Sequence, residues 1–174
     1  MIENNMINGI SLVVDLPYPK INNYEIDENT LNKIRSIFSG IKSELTCILN
    51  YSYIASLYNK NEEIHRLYEA ISITEMKHYS LLSDFITNSK NKPCIGFKNN
   101  SGNFEPWNSS FINYEQGLIK IINNNIETEL DTIKKYRDII SSSKNNDLNK
   151  LIGRIILDEE RHIELLSSVK RNLI

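Results

Sequence analysis

The sequence predicts an all-α protein, an antiparallel four-helix bundle with one long crossover between helices two and three. Three observations carry that expectation. Apolar residues recur at spacings of three and four through four separate segments, the period of an amphipathic helix. Two of the three connections are short and polar, which sets the helices they join side by side and antiparallel. The third connection, residues 89–114, is long, has no helical period, and holds Pro93, Gly96, Gly102 and Pro106. A loop of that length in a small domain needs a structural reason, and a crossover along a bundle supplies one.

Taken in order, residues 1–27 read as an irregular leader and 28–174 as the bundle domain. Ile10-Ser11-Leu12-Val13-Val14 has strand character, and Pro17 and Pro19 break any helix there. The leader is expected to pack on the outside of the domain or against a neighbouring subunit, with no chemistry of its own. Helix one starts at Asp27 or Asn29, either a suitable N-cap, and carries Leu31, Ile34, Phe38, Ile41, Leu45, Ile48 and Leu49 to about Tyr58. After the turn Asn59-Lys60-Asn61, helix two carries Ile64, Leu67, Ile71, His78, Leu82 and Phe85 to about Thr87. Helix three spans about 115–142, with Leu118, Ile122, Ile126, Leu130, Ile133 and Ile140 inward. Asp147 is expected to cap helix four, which carries Leu148, Leu151, Ile155, Leu165 and Val169.

Composition removes several function classes. The 174 residues, 40% apolar, suit one domain with a substantial core. A net charge of −2 gives no basic field for nucleic acid or an anionic membrane, and no apolar run approaches the ~18–20 residues a bilayer needs. Cys47 and Cys94 form neither a Cys-x-x-Cys pair nor a disulfide framework, so a reducing compartment is expected. The first residues hold no basic segment followed by an apolar one, so no signal peptide is read and a cytoplasmic location follows.

The chemistry lies in a repeat. Glu75-x-x-His78 and Glu159-x-x-His162 each put a carboxylate and an imidazole on one helical face, about 60° apart. Glu44 and Tyr51 precede the first copy. Glu129 and Tyr136 precede the second at the same seven-residue distance. The two copies are offset by 85 residues at Glu and Tyr, and by 84 at Glu-x-x-His. A bundle with pseudo-twofold symmetry would face them toward each other. Four carboxylates among apolar helix positions would be costly without partners. Two divalent cations would cancel their charge, and two imidazoles would complete the site.

Competing residues are set aside on the same grounds. Glu62-x-x-His65 fits the short motif, but Asn146 and Asn149 stand opposite it at the repeat offset. Glu127 and Glu129 lie about 200° apart on one helix, so one alone can face inward. The distance to Tyr136 selects Glu129, and Asp131 is read as surface. Asp158, beside Glu159, is expected to orient His78 across the bundle by accepting its free ring N–H. Arg161 is expected to neutralise a nearby carboxylate. Tyr51 and Tyr136 are expected to hydrogen-bond ligand carboxylates and to take part in catalysis. Cys47 and Thr132 stand three residues after Glu44 and Glu129, close to the site, and Cys47 is read as packing.

On Glu44, Glu75-x-x-His78, Glu129 and Asp158-Glu159-x-Arg161-His162, residues 28–172 resemble the ferritin-like superfamily and, within it, its rubrerythrin-like branch. One Glu from each of two helices with Glu-x-x-His from the other two is the known ligand set of di-iron and di-manganese carboxylate bundles. The resemblance implies two metal ions per chain, iron first and manganese second, held by Glu44, Glu75, His78, Glu129, Glu159 and His162. It implies a redox protein that reacts with hydrogen peroxide or dioxygen, peroxidase- or catalase-like, in oxidative-stress defence. A ferroxidase or iron-handling role is the alternative. It also implies an electron donor and a homo-oligomer. Two features depart from the rubrerythrin pattern: no rubredoxin domain is present, and Thr132 stands where an additional carboxylate is expected. No fifth helix follows helix four, which reads against a storage cage.

Overall fold

The computed structural model describes residues 6–99 and 101–173. Five helices build the bundle: α1 Glu28–Ser39, α2 Glu44–Leu57, α3 Glu62–Asn88, α4 Leu118–Ser142 and α5 Asn146–Leu173. α1 and α2 together form the first arm, so the all-α four-helix bundle with one long crossover stands. α2 packs chiefly on α3 and α4 on α5, the antiparallel pairs that the short turns require.

The first arm is not the continuous helix its apolar period predicts. Gly40 ends α1 in an extended conformation, and a Cβ there would lie 2.3 Å from the Ser36 carbonyl oxygen. Ser43 then caps α2, accepting from Thr46 N, while the Ser43 and Thr46 hydroxyls donate to the Gly40 carbonyl at 2.8 and 2.9 Å. The side chains thus replace the helical bonds lost at the break. The break also resets the helical phase. Glu44, Cys47, Tyr51, Ile54 and Ala55 face inward, which leaves Ile41 and Leu49 exposed against expectation. Leu130 is exposed for a related reason: it stands about 100° around α4 from the buried Glu129.

Asp27 caps α1 and Asn61 caps α3, each accepting from the backbone N–H three residues on. The cap of α5 is Asn145 rather than Asp147, its side chain accepting from Leu148 N at 2.9 Å. Asp147 serves the leader instead, taking the N–H groups of Asn22 and Asn23.

The leader begins with a small hairpin, β1 Met6–Ile7 and β2 Ile10–Ser11. Asn8 and Gly9, both at positive φ, make its two-residue turn. Ile7 and Leu12 enter the core, and Tyr18, Ile21, Tyr24 and Ile26 pack against it further along. The crossover holds a second hairpin, β3 Gly96–Lys98 and β4 Phe104–Pro106, and a short 3-10 turn, Ser109–Phe111. It lies against the α1–α2 break, where Ser39 Oγ donates to Gly96 O and Trp107 Nε1 donates to Thr46 Oγ1.

The apolar core has two parts. One gathers Tyr51, Leu67, Ile71, Ile122 and Leu165. The other gathers Phe38, Phe85, Tyr136, Leu151 and Ile155. Among the described residues no helix is long and apolar enough to cross a membrane.

Candidate metal centre

Each half of the bundle delivers its ligands by helical spacing. α3 presents Glu75 and His78, and α5 presents Glu159 and His162, on their inward faces. Glu44 comes from the first turn of α2 and Glu129 from the middle of α4. All six residues are at most 1% exposed, so bulk water cannot solvate them.

Their ligand atoms form two quartets, and within each the atoms lie within 4.8 Å of one another. One is Glu44, Glu75, His78 and Glu159. The other is Glu75, Glu129, Glu159 and His162. Glu75 and Glu159 belong to both. Glu75 sets Oε2 3.4 Å from His78 Nδ1 and Oε1 3.2 Å from His162 Nδ1. Glu159 sets Oε1 3.3 Å from His78 Nδ1 and Oε2 2.9 Å from His162 Nδ1. Each of these carboxylates therefore faces both positions, one oxygen to each. Glu44 Oε2 serves the His78 side at 3.3 Å, and Glu129 Oε1 the His162 side at 3.7 Å.

The donor set fits two cations on a direct observation. Glu44 Oε2, Glu75 Oε1, both oxygens of Glu159, His78 Nδ1 and His162 Nδ1 are buried and have no hydrogen-bond partner. Orphaned buried polar atoms are costly, and these six converge on one place. A cation at each quartet would satisfy them all.

The charges respond to the crowding. Burial pushes the Glu75 carboxyl well up, and Glu159 and Glu44 add repulsion. Burial and Glu159 raise Glu129 to about 7, against the opposing pull of His162 and Tyr51. Burial opposes ionisation of Glu159 too, but the two imidazoles hold it below the usual carboxylate range. Burial also disfavours charged imidazoles, yet the carboxylates around them raise both His78 and His162. These shifts favour protons on Glu75, Glu129 and the two imidazoles, which a cation entering the cluster would displace.

The tyrosines cross the bundle. Tyr51 donates to Glu129, and Tyr136 donates to Glu44, so each serves the carboxylate of the opposite half. Burial pushes both phenols well up, with those same carboxylates next, which keeps them neutral donors. Asp158 reaches His78 as expected, its Oδ2 accepting from Nε2 at 3.1 Å. With Nε2–H engaged there, Nδ1 is free to face the quartet.

Arg161 does not reach the cluster; it pairs with Glu164 on its own helix at 3.3 Å. The guanidinium that approaches a carboxylate here is Arg154, 2.6 Å from Asp158 Oδ2. Glu127 and Asp131 are exposed, and Asp131 pairs with Lys42 at 2.5 Å. His65 donates to the Ala55 carbonyl, away from the cluster. Cys47 is buried and free, its thiol pushed up by burial and then by Glu75 and Glu129. The Thr132 hydroxyl is buried with no hydrogen-bond partner.

Tyr18, like Arg154, is a residue that sequence reasoning missed. Its hydroxyl donates to Asp158 Oδ2 at 2.7 Å across 140 residues of chain. Burial pushes the phenol up to about 12, so the donor stays protonated. Burial would raise Asp158, but His78, Arg154 and Tyr18 together hold it below its ordinary value. Tyr18 belongs to no repeat and no helix; the one signal around it is the pair of prolines at its sides.

The rubrerythrin family model matches residues 37–170. Among solved structures, KatB, a manganese catalase from Anabaena PCC7120, superposes with a TM-score of 0.72 at 18% identity, covering 92% of this chain and 81% of that one. A second structure of the wild-type Anabaena protein gives 0.76 at 18% identity, covering 92% and 80%. Mycobacterium tuberculosis bacterioferritin, BfrA, gives 0.69 at 21% identity, covering 86% and 88%. These identities speak to the fold alone. No curated protein matches in sequence.

Proposed function

We propose that this chain, which belongs to the rubrerythrin family, is a dinuclear iron or manganese redox protein acting on hydrogen peroxide or dioxygen. The observation that carries the reading is the pair of quartets sharing Glu75 and Glu159, with six of their inward atoms left without hydrogen-bond partners. His78 and Glu44 would complete one position, and His162 and Glu129 the other. Iron and manganese both suit an oxygen-rich set with two imidazoles. Bound there, the two ions would supply the electrons exchanged with peroxide or dioxygen.

The chain's own groups do the rest. Four carboxylates would balance two dications, so the filled centre is neutral before any substrate enters. Tyr136 fixes Glu44 Oε1, which leaves Oε2 for the centre. Tyr51 donates instead to Glu129 Oε1, the oxygen on the His162 side, and keeps a protonated hydroxyl beside the centre. Asp158 holds the His78 ring, as outer carboxylates do for metal-bound imidazoles. Burial of all six side chains keeps bulk water from the reacting atoms. The same reading includes an electron donor of unidentified nature, a homo-oligomer and a cytoplasmic setting.

The test is metal analysis of protein purified without oxygen, combined with peroxide consumption measured with and without an added reductant. About two ions per chain together with turnover is the expected result. Tens of iron atoms per chain with little peroxide turnover would replace this reading with iron handling, and redox-inactive zinc alone would end both.

A further inference from the structure

The leader grips the back of the centre. Arg154 on α5 donates from Nε to Leu16 O at 2.7 Å and from Nη2 to Val14 O at 3.1 Å. Its Nη1 lies 2.6 Å from Asp158 Oδ2, and its guanidinium carbon stacks 4.5 Å from the centre of the Tyr18 ring. Tyr18 also donates to that Asp158 oxygen, and its ring stands edge-on to His78 at 6.3 Å. Pro17 and Pro19 flank Tyr18 and restrict its backbone and that of Leu16 to extended forms, which lowers the cost of presenting these groups. Two hydrogen-bond donors, Tyr18 from the leader and His78 from α3, and the guanidinium charge of Arg154 from α5 thus meet on one carboxylate oxygen.

Among the described residues the other half shows no counterpart. The residue equivalent to Asp158 is Thr74, and its hydroxyl turns back to Ala70 O on its own helix at 3.1 Å.

We propose that residues 14–18 are a working part of the metal centre. They lock Asp158, and through it the His78 ring, so that the two cation positions are unequal and the one on His78 is the tighter and the first filled. Tyr18 is the positioning residue of that lock. The inference rests on the two-cation reading above. Its physical basis is preorganisation: a ring already held at the right angle loses less freedom when it binds.

The full-length metal-free chain is titrated without oxygen with Co2+, followed by absorbance and calorimetry. Wild type is expected to show two unequal affinities. Tyr18→Phe, which removes one hydroxyl, should weaken the tighter by about 3- to 10-fold, less than the 10–100-fold typical when a direct partner of a ligand is lost, and leave the weaker alone. The His78 ring N–H resonance of the metal-free protein should shift in the same variant. Tyr24→Phe removes a leader hydroxyl that points to Ile21 O instead and should change neither. Should Tyr18→Phe not fold, Arg154→Lys decides on the same curves, since lysine keeps the charge but loses the fork that grips two carbonyls. Two equal affinities in wild type, or unchanged or equally weakened positions in Tyr18→Phe, overturn the leader's role and leave the dinuclear reading intact. Fewer than two ions in wild type overturns both.

Discussion

The half of the bundle that carries His78 and the half that carries His162 bring the same ligands inward at the same spacing, and differ in what stands behind them. On the inner side the match is close. Each half gives a Glu, a Tyr that crosses to the other half's Glu, and a Glu-x-x-His. Behind the rings it fails. His78 leans on Asp158, Arg154 and a strap of leader, while Thr74, at the place equivalent to Asp158, bonds its own helix. The halves differ at their starts as well: Glu44 opens a helix just after a break, and Glu129 sits mid-helix. A duplicated scaffold thus gives two positions of similar composition in dissimilar supports. Shared carboxylates bind the two positions into one unit, and unshared supports separate them.

The sharpest way to break the comparison is to remove what both halves share. Glu159→Ala takes an oxygen from each quartet, as Glu75→Ala does. Both positions should lose affinity together, by more than the ~100-fold upper range for an outer partner, read as metal per chain after dialysis. Loss at one position alone would contradict the bridging geometry.

Removing what only one half has should separate the positions. Asp158→Asn keeps the shape and removes the charge that His78 Nε2–H meets. One of two affinities should fall by about 10–100-fold in a Co2+ or Mn2+ titration, with the other unchanged. His162→Ala should do the reverse, abolishing the position that Asp158→Asn spares.

Tyr51 and Tyr136 test the symmetry of the inner side. Tyr51→Phe and Tyr136→Phe each strip a buried carboxylate of its hydroxyl donor. Each should cost about 1.5–3 kcal/mol of stability in the metal-free protein, the range for a hydrogen bond to a charged group, measured by denaturant unfolding. Comparable losses are expected, because each phenol is buried and each meets one carboxylate of the opposite half.

How far the sequence revealed this centre follows from the kind of signal each part leaves. The four rods and the six inward ligands were legible because helical period and an 84–85-residue repeat are local, countable patterns. The choice of Glu129 over Glu127 came from its spacing to Tyr136, and Glu127 is exposed. The break at residues 40–43 was hidden by an apolar period that continues across it through Ile41 and Leu45. Its cause is a close backbone approach at Gly40, which composition does not display. The N-cap of α5 was misplaced by two residues because Asp147 and Asn145 are both good caps, and the leader's backbone claims the first. Tyr18 was invisible for a stronger reason. Its partner lies 140 residues away, its segment has no period, and a hydroxyl on an extended strap resembles any surface tyrosine.

Thr74 gives the smallest effect and tests whether an equivalent position must carry an equivalent role. Its hydroxyl bonds Ala70 O, a back-bond that slightly weakens the helix around it. Alanine has the higher helix propensity and leaves no polar atom to satisfy. Thr74→Ala should therefore raise stability by a few tenths of a kcal/mol, about 0.2–0.5, and leave both metal affinities where they were. The neighbouring carboxylate of Glu75 gains or loses no partner in that change, since the Thr74 hydroxyl never reaches it. A drop at the His162 position would mean that Thr74 supports that ring after all, and the asymmetry drawn between the two halves would shrink to the presence of a charge on one side.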